Sequence, residues 1–504
     1  MAEDDLAAAV DSALAVDRGA FQSAVEAEAD FIKDELGDGA FDNAQGSVGL
    51  EYEFYAANRD TGALMRVPRR LLTLIGFEKE LGLHNAEMST TPQPFNEYGI
   101  QAQAAEVRAR LSAALDRTAA EGMALISDAL WTIPPTGERA RDYLTDSVEK
   151  NGIRIATNMS DAVRYHAMAN SETPAGMEID APNVSLTADT IMPESLITSL
   201  QPHYQVPQAI ELPTYFGYAL RIAGPLLAVG VNSPFFPPDL YDDDVTAETV
   251  LVDAHMEHRI GVFESVMNTD DQRKVRFPED LETAWEAVDR VVEDETIVPK
   301  PVESGSRFDD EFAHFRLKHG SYWRWVRPVF EGHSRSAAHA RIEFRPIPAQ
   351  PTVRDTLAFQ AAFAGALVGM VAADHPVRTL DWNHARENFY AAVREGLNAE
   401  FKWIDRDAHR CSDNTEIIED ILRVAADGLR ARGLSDAEVG RVLGPLRRRV
   451  RRGTTPARWK HRRVGQHVAD GCTLEEAITR MQQEYIDRQA DTLFEGTLVE
   501  WLDG

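Results

Sequence analysis

From Ser47 the chain alternates apolar and polar positions with a period of two. Val48, Leu50, Tyr52 and Phe54 interleave with Gly49, Glu51, Glu53 and Tyr55. That alternation predicts a strand with one face in a core and a polar face opposite. Upstream, Leu6, Val10 and Leu14, then Phe21 and Val25, recur at helical spacing. Residues 1–45 are therefore expected to form one or two amphipathic helices appended to the core. Helices are also predicted over 100–120, 160–170, 215–228 and 247–267, and further strands over 202–206 and 340–347. Residues 268–312 are charged and irregular and predict a surface excursion. From Thr352 onward the pattern is almost wholly helical. The fifteen-residue run Phe359 to Ala373 is near-apolar. It falls short of the roughly 20 residues a bilayer requires and predicts a buried helix. Strands interleaved with helices, without regular βαβ spacing, predict an α+β fold.

Charge narrows the function classes. Among 504 residues, 52 are Lys or Arg and 82 are Asp or Glu, a formal net charge of -30. Such a surface repels nucleic acid. Only eight of the bases are lysine. Excess carboxylate with little lysine suits concentrated salt, which screens self-repulsion, so a halophilic cytoplasm is expected. A GC-rich genome explains arginine over lysine but not the acid excess. Two cysteines, Cys411 and Cys472, exclude a disulfide framework and fit a reducing compartment. The acidic start MAEDDLAAAV is not a signal peptide. No membrane association is expected.

No GxxxxGK[ST] loop and no GxGxxG after a strand is present, so a nucleotide site must be built differently. Glu51 and Glu53, two apart on a strand, share a face. Their hard oxygens suit Mg²⁺, although an isolated pair would equally be a solvated polar face. Arg341, Glu343 and Arg345 share another face, with Ile342 and Phe344 opposite. The trio reads either as a cross-strand ion-pair ladder or as one metal ligand with two guanidiniums for phosphate. Arg327 lies in the aromatic segment Tyr322 to Pro328. His203 and Gln205 share a face, and a neutral His203 imidazole is a candidate metal ligand. Glu87 ends an apolar stretch, and Asn232-Ser233-Pro234-Phe235 closes the run LLAVGV as a turn. From 447 to 463, nine of seventeen residues are Arg or Lys, broken by Gly453 and Pro456. This segment reads as a solvated face pairing with acidic surface, or as a basic arm over a nucleotide site.

In this order, ExE, E…TP, HxQ, NSPF, WxxRP and ExR resemble the glutamate-cysteine ligase type 2 family of carboxylate-amine ligases. The likeness extends through Asn388 to Leu397 and Arg451 to Arg458, from about Gly46 to about Tyr485. Three segments depart from the family pattern. His203-Tyr204-Gln205-Val206-Pro207 lacks a second histidine and a glycine. Pro348 stands where an aspartate is usual, and Ser127 to Leu130 lacks the common GTHPF.

The resemblance implies a glutamine synthetase-like catalytic domain over 46–400, flanked by the acidic extension 1–45 and a helical region 401–504. It implies a curved antiparallel sheet forming an active-site funnel with flanking helices. Glu51, Glu53, Glu87, His203 and Glu343 would hold two or three Mg²⁺ ions, with Glu53 also catalytic. Arg345 and Arg327 would act on the phosphoryl group, and Asn232 and Ser233 would lie beside ATP. Arg259 and Gln205 would meet substrate. The implied activity is ATP-dependent joining of glutamate to an amine, cysteine first or another amine, by an acyl phosphate, and a homo-oligomer is compatible with it. The alternative is a nucleotide- and metal-binding regulator without turnover. No side chain is assigned as base for the amine.

Overall fold

Twelve residues, Ser47–Asn58 (β1), form the strand on which the sheet is organised. The computed structural model describes all residues except 1–2, 173, 270, 303–304 and 503–504. Four short strands follow, Glu78–Lys79 (β2), Asn85–Ser89 (β3), Gln93–Pro94 (β4) and Met123–Ile126 (β5), then Leu200–Gln205 (β6), Val326–Glu331 (β7) and His339–Phe344 (β8). They form one eight-stranded sheet in the order β7-β8-β6-β1-β3-β2, with β4 and β5 pairing to the two ends of β1. All its pairings are antiparallel. The sheet curls strongly, as an open half-barrel, with helices around it.

Alternation decides which face carries chemistry. Leu50, Tyr52 and Phe54 are buried on one face with Tyr204, Ile342 and Phe344. Beneath them runs the helix Val353–Ala373, whose Phe363 stacks on Phe344 at 4.5 Å. By length and apolarity this 21-residue helix could cross a bilayer, but 78% of its apolar window is buried in the protein. It packs against Asn414–Ala431 so closely that a Cβ on Gly428 would lie 2.1 Å from the Gly365 carbonyl oxygen. Only glycine permits that approach.

The expected helices over 100–120, 160–170 and 215–228 form as Glu97–Ala119, Val163–Asn170 and Leu212–Gly230. The stretch 247–267 splits into Ala247–Asp253 and His258–Met267. Residues 268–312 are less irregular than their charge implies. Ala284–Glu293 is a helix that buries Ala284, Ala287, Val288 and Val291, an i, i+3, i+4, i+7 set interspersed with charged residues that mask its period. The N-terminal helices do not stand apart either. Glu3–Leu14 packs on Val163–Asn170, and Arg18–Gly37 on Ala284–Glu293 and Ala313–His319, where the Trp285 indole donates to the Lys33 carbonyl (3.1 Å). The C-terminal region is helical except for the two-residue strands Trp403–Ile404 and Arg410–Cys411. β3 and β5 are too short for the period-two pattern to reveal. β7 contains Pro328, which is tolerated because β7 is an edge strand.

Candidate active site

The polar face of the sheet gathers residues that lie nearly 300 positions apart. On β1, Glu53 stands directly opposite Glu87 of β3, and Glu51 opposite Ser89 and Gln201. His203 of β6 stands opposite Glu343 of β8, which in turn faces Arg327 of β7. Ligand atoms of Glu51, His203 and Glu343 all lie within 4.8 Å of one another. Glu51, Glu53, Glu87, Arg327 and Arg345 line one cavity of about 200 Å³ with Glu80, Glu194, Gln201, Tyr165 and Trp323.

Glu53 is held rigidly. The Ser199 N–H and hydroxyl donate to its two oxygens (2.6 and 2.7 Å), and the Gln201 amide donates to Oε1 (2.9 Å). Glu343 is 2% exposed and accepts from Arg327 Nε (2.9 Å) and Arg345 Nη1 (3.2 Å). Burial alone would raise its pKa, but the two guanidiniums hold it well below the usual carboxylate range. At Glu51, Glu80 and Glu194 burial and like charge outweigh the pull of the arginines. Burial, then Glu343, pushes Glu51 up to about 8. Burial, then Glu53, pushes Glu80 up to about 7. Burial, then Glu80 and Glu53, pushes Glu194 up to about 8. Burial, then Glu51, Glu80 and Glu53, raises Glu87 as well. Burial lowers His203 to about 3, so its imidazole is neutral. Its Nε2 is buried and lacks a hydrogen-bond partner among the described residues. It lies 3.5 Å from Glu51 Oε1. Facing carboxylates, a neutral imidazole whose nitrogen is turned to one of them and a deficit of cations together form a donor set that fits divalent ions with hard-oxygen preference.

A second cavity, of about 420 Å³, adjoins the first through Arg327 and Gly320. Its lining is basic, with Arg164, Lys300, Arg316, Arg327 and Arg341 against Glu331 alone, and burial lowers His319 beside them to about 3, so its imidazole is neutral. Arg341, expected to share a face with Glu343 and Arg345, pairs with Glu331 (2.7 Å). The sheet thus sets an acidic and a basic chamber side by side, with Arg327 in both.

Six expected site residues line neither cavity; His203 and Glu343 converge with Glu51 beside the acidic one, and the other four lie elsewhere. Asn232 and Ser233 are fully buried, their N–H and hydroxyl donating to the Glu257 carboxylate (both 2.7 Å). Arg259 lies beneath them, where Nη2 donates to the Arg345 and Pro346 carbonyls (3.0 and 2.5 Å). It supports the backbone of Arg345 and stacks over Trp325 at 5.3 Å. Gln205 accepts from the Ser47 hydroxyl (2.6 Å) at the far end of β6. The turn at 232 and the helix from 258 put these polar groups inside the fold, where protein meets most of their hydrogen bonds, while Asn232 Oδ1 and Arg259 Nε have no hydrogen-bond partner among the described residues. Gln201 joins the site because the strand expected at 202–206 begins at Leu200, so its polar face extends one position further. Glu80 and Glu194 follow a two-residue strand and sit on the single turn Met192–Leu196 respectively, with no periodic signal to mark them.

The profile of Glutamate-cysteine ligase family 2 matches residues 47–491. No curated protein matches the chain in sequence. Its fold is similar to that of the glutamate-cysteine ligase from Francisella tularensis, solved in complex with AMP, with a TM-score of 0.52 and 12% identity over 89% of this chain and 90% of that one. It is also similar to a bifunctional glutathione synthetase from Pasteurella multocida, with a TM-score of 0.53 and 13% identity over 92% of this chain and 55% of that one. The match over 47–491, together with the acid-lined face of the curled sheet, establishes that the chain belongs to Glutamate-cysteine ligase family 2.

Proposed function

We propose that the protein is an ATP- and divalent metal-dependent ligase that joins the side-chain carboxylate of glutamate to an amine. The observation that carries this reading is the pair of adjoining cavities on the polar sheet face, one acidic and one basic, joined at Arg327. A carboxylate does not acylate an amine directly in water, because oxide is a poor leaving group. Passing the γ-phosphoryl group of ATP to it gives an acyl phosphate, from which phosphate leaves readily. Such a step demands positioning and neutralisation of phosphoryl charge more than covalent chemistry.

Glu51, His203 and Glu343 would hold one Mg²⁺ at the junction, and Glu53 and Glu87 a second with Glu80. Bound there, the ions would neutralise charge on the phosphates and the glutamate carboxylate. The basic cavity would receive the triphosphate, with Arg164, Arg316 and Arg341 around it. Arg327 and Arg345 hold Glu343 and keep further N–H groups for the transferring phosphoryl group. Glu53, fixed by Ser199 and Gln201, keeps its position as charge in the cavity changes.

The test is ADP release by purified protein in high KCl with ATP, Mg²⁺, glutamate and a panel of amines, cysteine included. Amine-dependent ADP release with equimolar γ-glutamyl amide supports the reading. Nucleotide binding without turnover for any amine would assign the chain to the regulator alternative.

A further inference from the structure

The basic cavity is assembled from two sources. Arg327 stands on β7 and Arg341 on β8, and each is paired, with Glu343 (2.9 Å) and Glu331 (2.7 Å). Arg164, Lys300 and Arg316 come from outside the sheet. Arg316 lies 3.5 Å from Asp309. Among the described residues Arg164 and Lys300 form no ion pair. Burial lowers the pKa of both, and Arg164 adds to the lowering at Lys300. Two uncompensated cations on one cavity wall make a site for an anion.

The three elements that carry these cations are all backed by the N-terminal helices, which precede the residues 47–491 matched by the family profile. Arg18 extends its guanidinium fork to the Thr296 and Ile297 carbonyls (2.7 and 3.0 Å). Ile297 and Val298 are buried, and Pro299 and Pro301 flank Lys300. Proline fixes its own φ and restricts the residue before it, so an anchor at 296–297 is carried along a stiff segment to Lys300. The helix Ala313–His319, which bears Arg316, has no side-chain cap of its own. Glu28 supplies one, accepting from the Phe315 N–H (2.8 Å) and meeting His314 Nδ1 (2.6 Å). Lys318 of that helix is 2% exposed and donates to Gln22 Oε1 (2.8 Å). Val163–Asn170, which bears Arg164, packs on Glu3–Leu14, whose Leu6, Ala7 and Val10 are buried.

These bonds go beyond what docking the helices requires. Phe21, Val25, Ala29 and Ile32 give Arg18–Gly37 an apolar stripe sufficient to seat it. Arg18, Gln22 and Glu28 add directional contacts to the segments that present Lys300 and Arg316. Glu35, further along the same helix, instead pairs with Arg335 (2.6 Å), which lines neither cavity. The need for bracing follows from charge. Arg164, Lys300 and Arg316 repel one another and stand on helices of eight and seven residues and an irregular segment. Such short elements do not hold like charges together unless something fixes them from behind.

Building on the ligase reading, we propose that the N-terminal helix pair is a positioning element of the nucleotide site: Arg18 and Glu28 set the places of Lys300 and Arg316, and Lys300 with Arg164 supplies the uncompensated charge that meets the triphosphate. The strands fix one wall of the chamber and the N-terminal helices fix the other.

The test reads binding of ATP with Mg²⁺ by calorimetry, and KM for glutamate in amine-dependent ADP release. Lys300→Met should weaken ATP binding by about tenfold, as for loss of a hydrogen bond between charged groups. Arg18→Met should weaken it by about fivefold through misplacement of Lys300, with KM for glutamate within about twofold of the unaltered protein. Arg18→Met combined with Lys300→Met should bind ATP about as weakly as Lys300→Met alone, because the first residue acts through the second. Arg18→Lys, which keeps a donor for the carbonyls, should recover part of the loss. Glu35→Gln breaks a pairing on the same helix and should leave ATP binding unchanged. Thermal melts verify folding, and if Arg18→Met does not fold, the same cycle run with Arg18→Lys decides. Unchanged ATP binding in Lys300→Met or in the folded Arg18 variant, additive losses in the double variant, or an equal loss in Glu35→Gln overturns this inference and leaves the ligase reading standing. No ATP binding by the unaltered protein overturns the ligase reading and the inference with it.

Discussion

Both the acidic cavity and the arginine-rich stretch 447–463 crowd like charges together, but only the cavity leaves them facing one another. The stretch folds as the ends of two helices, Asp436–Arg452 and Pro456–Ala469, broken at Gly453 in the left-handed region (φ 56°). Its cations point to different partners. Arg449 is fully buried 3.1 Å from Asp355, Lys460 is buried against Asp128, and Arg463 pairs with Glu484 (2.5 Å). Arg458 donates to the Gly453 carbonyl (2.6 Å) and to Asn398. In the cavity, five glutamates share two arginines that are already bonded to a sixth. Density of charge along the sequence therefore does not mark the site. What marks it is charge that the fold brings together and leaves uncompensated.

The comparison breaks most sharply if a single charge is removed from each region. Arg449→Met leaves Asp355 buried with Thr352 and the Leu498 N–H as its only side-chain hydrogen-bond partners among the described residues. Stability should fall by about 3–5 kcal/mol, read as a shift in denaturant midpoint. Adding Asp355→Leu should recover much of that loss, because the uncompensated charge goes with it. Glu53→Gln should act mainly on activity, costing about 1–3 kcal/mol of stability because an amide cannot accept from all three donors that hold Glu53, while ADP release falls by about 10²–10³-fold. Glu343→Gln should lower turnover as much, since it also releases Arg327 and Arg345. Normal turnover in either glutamine variant would remove the ligand assignment. Arg345→Lys should not restore activity, because lysine lacks the planar fork.

pH sharpens the same contrast. Glu51, Glu80 and Glu194 have folded-state pKa values raised to about 8, 7 and 8 from an ordinary 4.5. Between 4.5 and 8 the folded protein binds more protons than the unfolded chain, so its stability falls as pH rises across that window. The destabilisation is absent below 4.5 and complete above 8. Divalent ions, which relieve the repulsion, should therefore raise Tm in metal-free protein by several degrees at pH 8 and hardly at all at pH 5. Glu51→Gln should blunt both the pH slope and the metal effect. Equal metal stabilisation at the two pH values would show that these acids do not form the metal site.

The acidic half of this contrast was partly legible in the sequence. Glu51, Glu53 and Glu343 sit on strands whose alternation fixes which way each points, and Arg345 follows directly after its strand, so a shared polar face followed from spacing alone. His203 followed once its strand was placed. Glu80 and Glu194 were not legible, because a two-residue strand and a single turn have no period. Asn232, Ser233 and Arg259 mislead in sequence, where a polar turn after an apolar run looks exposed. Only the packing of Glu257 beneath it reveals that these groups serve one another. The acidic partners of the buried cations in the basic stretch lie far away in sequence, with Asp128 332 positions from Lys460, and no local pattern encodes a pairing at that distance.

The smallest expected effect decides whether the basic stretch has any part in nucleotide binding. The sequence allowed an arm over the active site, yet no residue of 447–463 lines the acidic or the basic cavity among the described residues. Replacing Arg451, Arg452 and Arg458 together with glutamine should therefore leave KM for ATP within about twofold. Stability should change by about 1 kcal/mol or less for each surface pairing removed, with the largest share from Arg458, whose bonds tie the start of its helix to Gly453 and Asn398. A several-fold rise in KM for ATP, with an unchanged melt, would instead mean that the stretch reaches the triphosphate when the enzyme is loaded. The acid-basic pair of cavities would then be completed by a third element from the C-terminal helices. An unchanged KM with a lowered melt keeps the two regions apart, one for chemistry and one for holding the helices to the sheet.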